Sequence, residues 1–224
     1  MAANRETSAR RPVAWVVIAG LLILGAWVFP PFHVVRLAPA ATSRASKDLK
    51  RPGAFDPKAA AAQVWRDQIP AAVAKAADVN AVVALLAENP DLAKTRYGRA
   101  AEVGAADFIV HGRGRVTARD RSQLTVVLDG QPAGVVALRI GPVFGNTVRD
   151  GCGLDLNAFP GLAEFNALSA ELNALVEHQV LPALRQKAQV GATVTFTGCA
   201  EAPDFAADPG EPALTIVPVQ AEVR

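Results

Sequence analysis

The sequence is poor in the side chains that do chemistry. Its three histidines, His33, His111 and His178, have no ligand neighbour at metal spacing, so no metal site is expected. No nucleophile elbow, Walker loop or dinucleotide fingerprint occurs. The GRGRV run at 112–116 has too few glycines, in too strand-like a setting, to cradle phosphate. No cofactor is expected. Cysteine is limited to Cys152 and Cys199. In an oxidising compartment they can pair, and the alternative is two independent small residues.

Net positive charge is also missing where it would matter. Residues 1–51 hold eight of the 23 Lys/Arg and two of the 21 Asp/Glu, which leaves fifteen against nineteen in residues 52–224. That part is about −4 and has no general attraction for nucleic acid or an anionic surface. Arg113, Arg115, Arg119 and Arg121 form the densest basic cluster, but a single-strand groove also needs stacking aromatics, and this segment offers only Phe108. Nucleic acid is therefore not expected as a partner.

What the chain does have is a charge-free apolar run, VAWVVIAGLLILGAWVF, from Val13 to Phe29, preceded by Arg5, Arg10 and Arg11. As a helix its 17 residues at ~1.5 Å each span roughly 26 Å, close to the hydrocarbon thickness of a bilayer. Trp15 and Trp27 sit near its ends like interfacial anchors. The expectation is a signal anchor in residues 1–36, single-pass in a bacterial inner membrane through residues 13–29, with the rest in the periplasm. Ala38-Pro39-Ala40 has a cleavage-like small-residue pattern but lies well beyond the run, so retention is favoured. No cysteine follows directly on the run, so lipid attachment has no site there.

Residues 37–55 are small, polar and Pro/Gly-punctuated, which suits a linker. Asp56-Pro57 then reads as a helix cap with proline at the first position, and Pro70 as a kink. Further helices are expected from Asn80 to Glu88 and from Pro90 to Tyr97, ending at Gly98, in a helical subdomain over 56–105. From Asp107 the pattern turns to strands: FIVHGRGRVTARD, SQLTVVLDG and AGVVALRIG. Alternating Gly and Arg at 112–116 suggests a sharply curved strand. GPVFGNTVRDGCG reads as loop with one short strand. A helix returns over Ala163–Ala188, with a break at Pro182, and two strands follow, ATVTFTGCA and PALTIVPVQAEV. The fold class is thus α+β. Residues 106–224 are expected to form an OB-like five-stranded barrel with a helix between its third and fourth strands.

Several stretches carry a resemblance when taken together: WRDQIP at Trp65–Pro70, RYG at Arg96–Gly98, ADFIVHGRGRV, GPVFGNTVRD at Gly141–Asp150, and EFNALSAELN at Glu164–Asn173. Over roughly residues 30–200 the chain resembles a bacterial family of predicted periplasmic lipoproteins, domain-of-unknown-function family 2291. The resemblance implies a helical domain followed by an OB-like barrel, and an accessory role beside sugar-type ABC transport systems. It departs from the family where a lipid-carrying cysteine belongs, since FPPFHVVRL has none. By matching position it marks Arg149, Asp150, Glu164, Phe165, Asn166 and Asn173. Asn166 and Asn173, seven apart, share one side of a helix, so they can form a polar cluster with Arg149 and Asp150 at the barrel edge, with structural hydrogen bonding and ligand binding as its two readings.

The functional expectation is a non-enzymatic, membrane-anchored periplasmic protein that binds a small solute or a transporter component. The alternatives are a hydrolase or lyase using Asp150 and Glu164 for acid/base chemistry, and a purely structural envelope protein.

Overall fold

A computed structural model describes residues 55–100, 106–130, 134–202 and 211–224. The expected anchor and all but the last residue of the linker lie outside the described residues. Among the described residues, no helix is long and apolar enough to cross a membrane.

Helix starts follow local chemistry. Helix α1 (Pro57–Asp67) begins where the Asp56 carboxylate accepts from the amides of Lys58 and Ala59, at 3.0 and 3.1 Å. It ends before Pro70, which sits in the first turn of the short α2 (Ile69–Val73). Helix α3 (Val79–Glu88) is capped by Asp78, and α4 (Pro90–Tyr97) by Asn89 with proline at its first position. Gly98 ends α4 in an extended conformation, with φ −71° and ψ 147°. Glycine is needed there because a Cβ would collide with the Lys94 carbonyl and with Ala106.

Two-residue strands β1 (Ala77–Asp78) and β2 (Arg99–Ala100) pair with β3 (Ala106–Arg119) and tie this helical segment to the barrel. The barrel strands are β3, β4 (Gln123–Leu128), β5 (Val135–Arg139), β6 (Thr193–Glu201) and β7 (Thr215–Val223). They run β3-β4-β5-β7-β6, and β6 pairs back to β3. Every pairing in that ring is antiparallel except β5–β7. This is the closed five-stranded OB topology, with the helix between its third and fourth strands.

Closure rests on the bend in β3. Its first part, from Asp107 to Arg115, pairs with β6; its second, from Gly114 to Arg119, pairs with β4, with a register shift between Val116 and Ala118. Only Gly114 and Arg115 pair on both edges. A Cβ on Gly114 would meet the Val127 carbonyl and the Val126 side chain, and one on Gly112 would meet Val79 of α3. The alternating glycines thus allow α3 and β4 to approach the bend closely.

Between β5 and β6 lie α5 (Thr147–Gly151), a 3-10 turn (Leu156–Ala158), α6 (Leu162–Leu175), a π turn (Val176–Val180) and α7 (Leu181–Lys187). The helix expected over 163–188, with its break at Pro182, is thus three pieces. Pro182 has no N–H for the carbonyl of His178 and its ring presses against that carbonyl, so the helix widens into the π turn just ahead of it. Phe165, Leu168, Leu172, Val176, Leu181 and Leu184 are buried in one core with Phe108, Leu124, Leu138, Phe196 and Ile216 from the strands.

One expectation is corrected: GPVFGNTVRDGCG contains no strand, and its second half is helix α5. Asn146 makes no side-chain capping bond, so nothing local announces this helix; burial of Val148 and Arg149 holds it in place. As a check on barrel closure, Gly114→Ala is expected to destabilise the protein by about 1–3 kcal/mol. An unchanged midpoint in chemical denaturation would contradict the close approach at the bend.

Candidate functional site

The polar cluster forms around Arg149, which α5 turns inward to 7% exposure. Asp150 takes its guanidinium in a fork, Nε to Oδ1 at 2.6 Å and Nη2 to Oδ2 at 3.0 Å. Nη1 donates to Asn166 Oδ1 at 2.9 Å, which fixes α5 to α6. The guanidinium carbon lies 4.0 Å from the centroid of the Phe165 ring. Phe165 packs on Phe159, and Phe159 packs edge-on against Phe55. A buried cation is tolerable when its charge is paired and its donors are used, and both conditions hold here. With all three kinds of nitrogen engaged, Arg149 serves to join elements.

Asn173 takes no part in this network. Its Nδ2 donates to the Gly145 carbonyl at 2.9 Å, and one helical turn on, Glu177 Oε1 accepts from the Val143 amide at 2.7 Å. Arg185 Nε donates to the Ile140 carbonyl at 2.6 Å. Three side chains of the α6–α7 segment therefore hold the loop over residues 140–146 by its backbone. At its tip Phe144 is 78% exposed. A hollow opens on each side of that ring. One, of about 390 Å³, is lined by Asn146, Asn166, Ser169, Asn173 and Glu177; the other, of about 380 Å³, by Arg139, Thr147, Glu201 and Thr215.

Of the residues expected from the sequence, Arg149, Asp150 and Asn166 come together, and Asn166 and Asn173 share one hollow. Glu164 stands apart in the first turn of α6, beside Gly161 and half-buried, where the helix dipole favours its charge. Neither Asp150 nor Glu164 lines any of the three hollows described for the chain. Cys152 and Cys199 are buried free thiols with Sγ atoms 3.5 Å apart. His111 and His178 are exposed, His33 lies outside the described residues, and no metal-binding cluster occurs among the described residues.

The basic cluster has local uses. Arg113 pairs with Asp129 at 3.3 Å, Arg115 donates to the Gly191 carbonyl, and Arg119 donates to the carbonyls of Arg185 and Ala188 at the end of α7.

Sequence reasoning passes over Phe144, Glu177 and Asp107. Phe144 lies between Val143 and Gly145 in a loop, where an aromatic has little to pack against, and that is the one signal the sequence offers for it. Asp107 opens the apolar run DFIV, which is also legible, but its surroundings are not. It is 4% exposed on β3. Desolvation, then the like charges of Asp150 and Glu201, raise its pKa from 3.8 to about 7, against the lowering effect of Arg149.

A family model described as predicted periplasmic lipoprotein, DUF2291, matches residues 17–222. The chain belongs to this family. DUF2291 carries no assigned activity in that description, and it gives a periplasmic, membrane-associated address. The chain is also similar to the crystal structure of an OB-fold protein from Thermotoga maritima, with a TM-score of 0.64 and 23% identity over 76% of this chain and 99% of that one. At that identity the likeness shows the fold. No curated protein matches the chain.

Two outcomes are expected from this geometry. Removing the guanidinium in Arg149→Ala leaves Asp150 unpaired in a mostly buried setting and is expected to cost about 3–5 kcal/mol, against about 1 kcal/mol for Asn166→Ala. Equal, small effects in denaturant unfolding would show that the pair does not join the helices. For Asp107, a folded pKa raised to about 7 means that the native state holds the proton more tightly than the unfolded chain. The stability this contributes is complete below about pH 4 and is lost as pH rises through about 7. The melting temperature should fall between about pH 5 and 8, and Asp107→Asn should flatten that profile; a wild-type profile that Asp107→Asn leaves unaltered would rule the mechanism out.

Proposed function

We propose that the protein is a non-catalytic periplasmic binding module, held at the inner membrane by the apolar segment over residues 13–29, that acts beside an ABC-type solute uptake system. The observation that carries this reading is Phe144. A large aromatic stands in solvent on a loop whose backbone is tied by Asn173, Glu177 and Arg185. Exposed aromatics flanked by hollows suit contact with a partner, since a few such anchors carry most of the binding energy of an interface. A loop already held in one conformation loses little entropy on binding.

The neighbouring polar groups, Asn146, Asn166 and Glu177 on one side and Arg139 and Glu201 on the other, supply hydrogen-bonding specificity around that anchor. The family's periplasmic address and the charge-free run after Arg5, Arg10 and Arg11 support the topology. The enzyme alternative has less behind it, because Asp150 is occupied by Arg149 and no described hollow holds it together with Glu164.

Crosslinking the tagged full-length protein in intact cells, followed by mass spectrometry of what co-purifies from solubilised membranes, tests this reading. A permease or solute-binding component is expected, with at least tenfold lower recovery for Phe144→Ala at unchanged melting temperature. Recovery of nothing above background, or undiminished recovery with Phe144→Ala, would refute it.

A further inference from the structure

We propose that Cys152 and Cys199 are joined by a disulfide in the exported protein, which pins the end of α5 to barrel strand β6. They are the only cysteines in the chain, so the intramolecular partner is unambiguous. Their Sγ atoms are already 3.5 Å apart in the core. Bond formation asks for a further approach of about 1.5 Å, which side-chain rotation and a slight backbone shift can supply.

The approach is built into the backbone. A Cβ on Gly151 would lie 2.7 Å from Cys199 Cβ and 2.9 Å from its Sγ, so only glycine lets the helix end rest on the strand here. No third metal-binding side chain completes a cluster with the pair among the described residues, which leaves oxidation as the chemistry open to two facing thiols. The family's periplasmic address supplies an oxidising compartment.

The two sulfurs differ in access. Cys199 is fully buried, whereas Cys152 lines a hollow of about 260 Å³ with Asp67, Lys75 and Arg99. The hydrogen bond with the Cys152 thiol, and burial, push the Cys199 thiol well above its usual range. Cys152 is therefore the entry point. Its thiolate attacks the disulfide of a dithiol oxidase, forming a mixed disulfide and releasing one oxidase thiolate. Cys199 then gives up its proton and attacks the Cys152 sulfur, which forms the Cys152–Cys199 bond and releases the second oxidase sulfur. Two electrons pass to the oxidase, which leaves as a dithiol carrying the two protons.

The experiment is thiol counting on the full-length protein. Cells are quenched in acid, the protein is denatured and treated with a maleimide of high mass, with and without prior reduction, and read by gel shift. No label before reduction and two after it are expected; labelling of most molecules before reduction would overturn the proposal. Reduction of the purified protein should lower its melting temperature by roughly 5–15 °C. Cys152→Ala should start from the lower value and not respond to reductant. Equal melting temperatures for oxidised and reduced wild type would show that the bond pins nothing.

Discussion

The fold depends on one strand dividing its length between two neighbours. Strand β3 gives its first half to β6 and its second half to β4, and without that bend five strands make an open sheet. The bend is possible because Gly112 and Gly114 let α3 and β4 come closer than side chains permit. Everything placed outside the barrel takes its position from this closure. The segment between β5 and β6 has to cross one end of the barrel, and in doing so it brings Arg149, Asn173, Glu177 and Arg185 to the same edge as the 140–146 loop.

At that edge, polar groups hold structure more than they display chemistry. Arg149 is satisfied by Asp150, Asn166 and the face of Phe165; Asn173 and Glu177 direct their hydrogen bonds to the loop backbone. The exposed feature that results is an aromatic side chain on a stiff support. This is the arrangement expected of a recognition surface, where the cost of ordering is met during folding and does not recur on contact. It also separates this edge from the Cys152–Cys199 contact, which lies inside and bears on the integrity of the fold.

Features governed by near neighbours along the chain are legible in the sequence itself. Asp56-Pro57 and Asn89-Pro90 start helices through bonds two or three residues long, and the Gly-Arg alternation announces the curve of β3. Features governed by distant neighbours are not legible in this way. Helix α5 has no side-chain cap and exists because Val148 and Arg149 are buried, so its residues read as loop. The run of arginines from Arg113 to Arg121 looks like a basic surface, yet Arg115 and Arg119 are consumed by carbonyls more than sixty residues away. The cluster of Arg149, Asp150 and Asn166 shows through family resemblance and not through spacing. Asp107 and Phe144 owe their interest to burial and exposure, which a linear pattern does not carry.

The ring of strands also sets an order of events. Asp107 pairs with Glu201 and Leu138 with Ile216, so the first and third barrel strands stay without one neighbour until nearly the last residue is available. A chain that becomes available in sequence order cannot close such a barrel midway. Contacts this distant in sequence are slow to form. During that interval β3 presents an open edge and an apolar run, the combination most prone to pair with the wrong chain. The late strands therefore do more than complete the ring: by covering β3 they also end its exposure to mispairing.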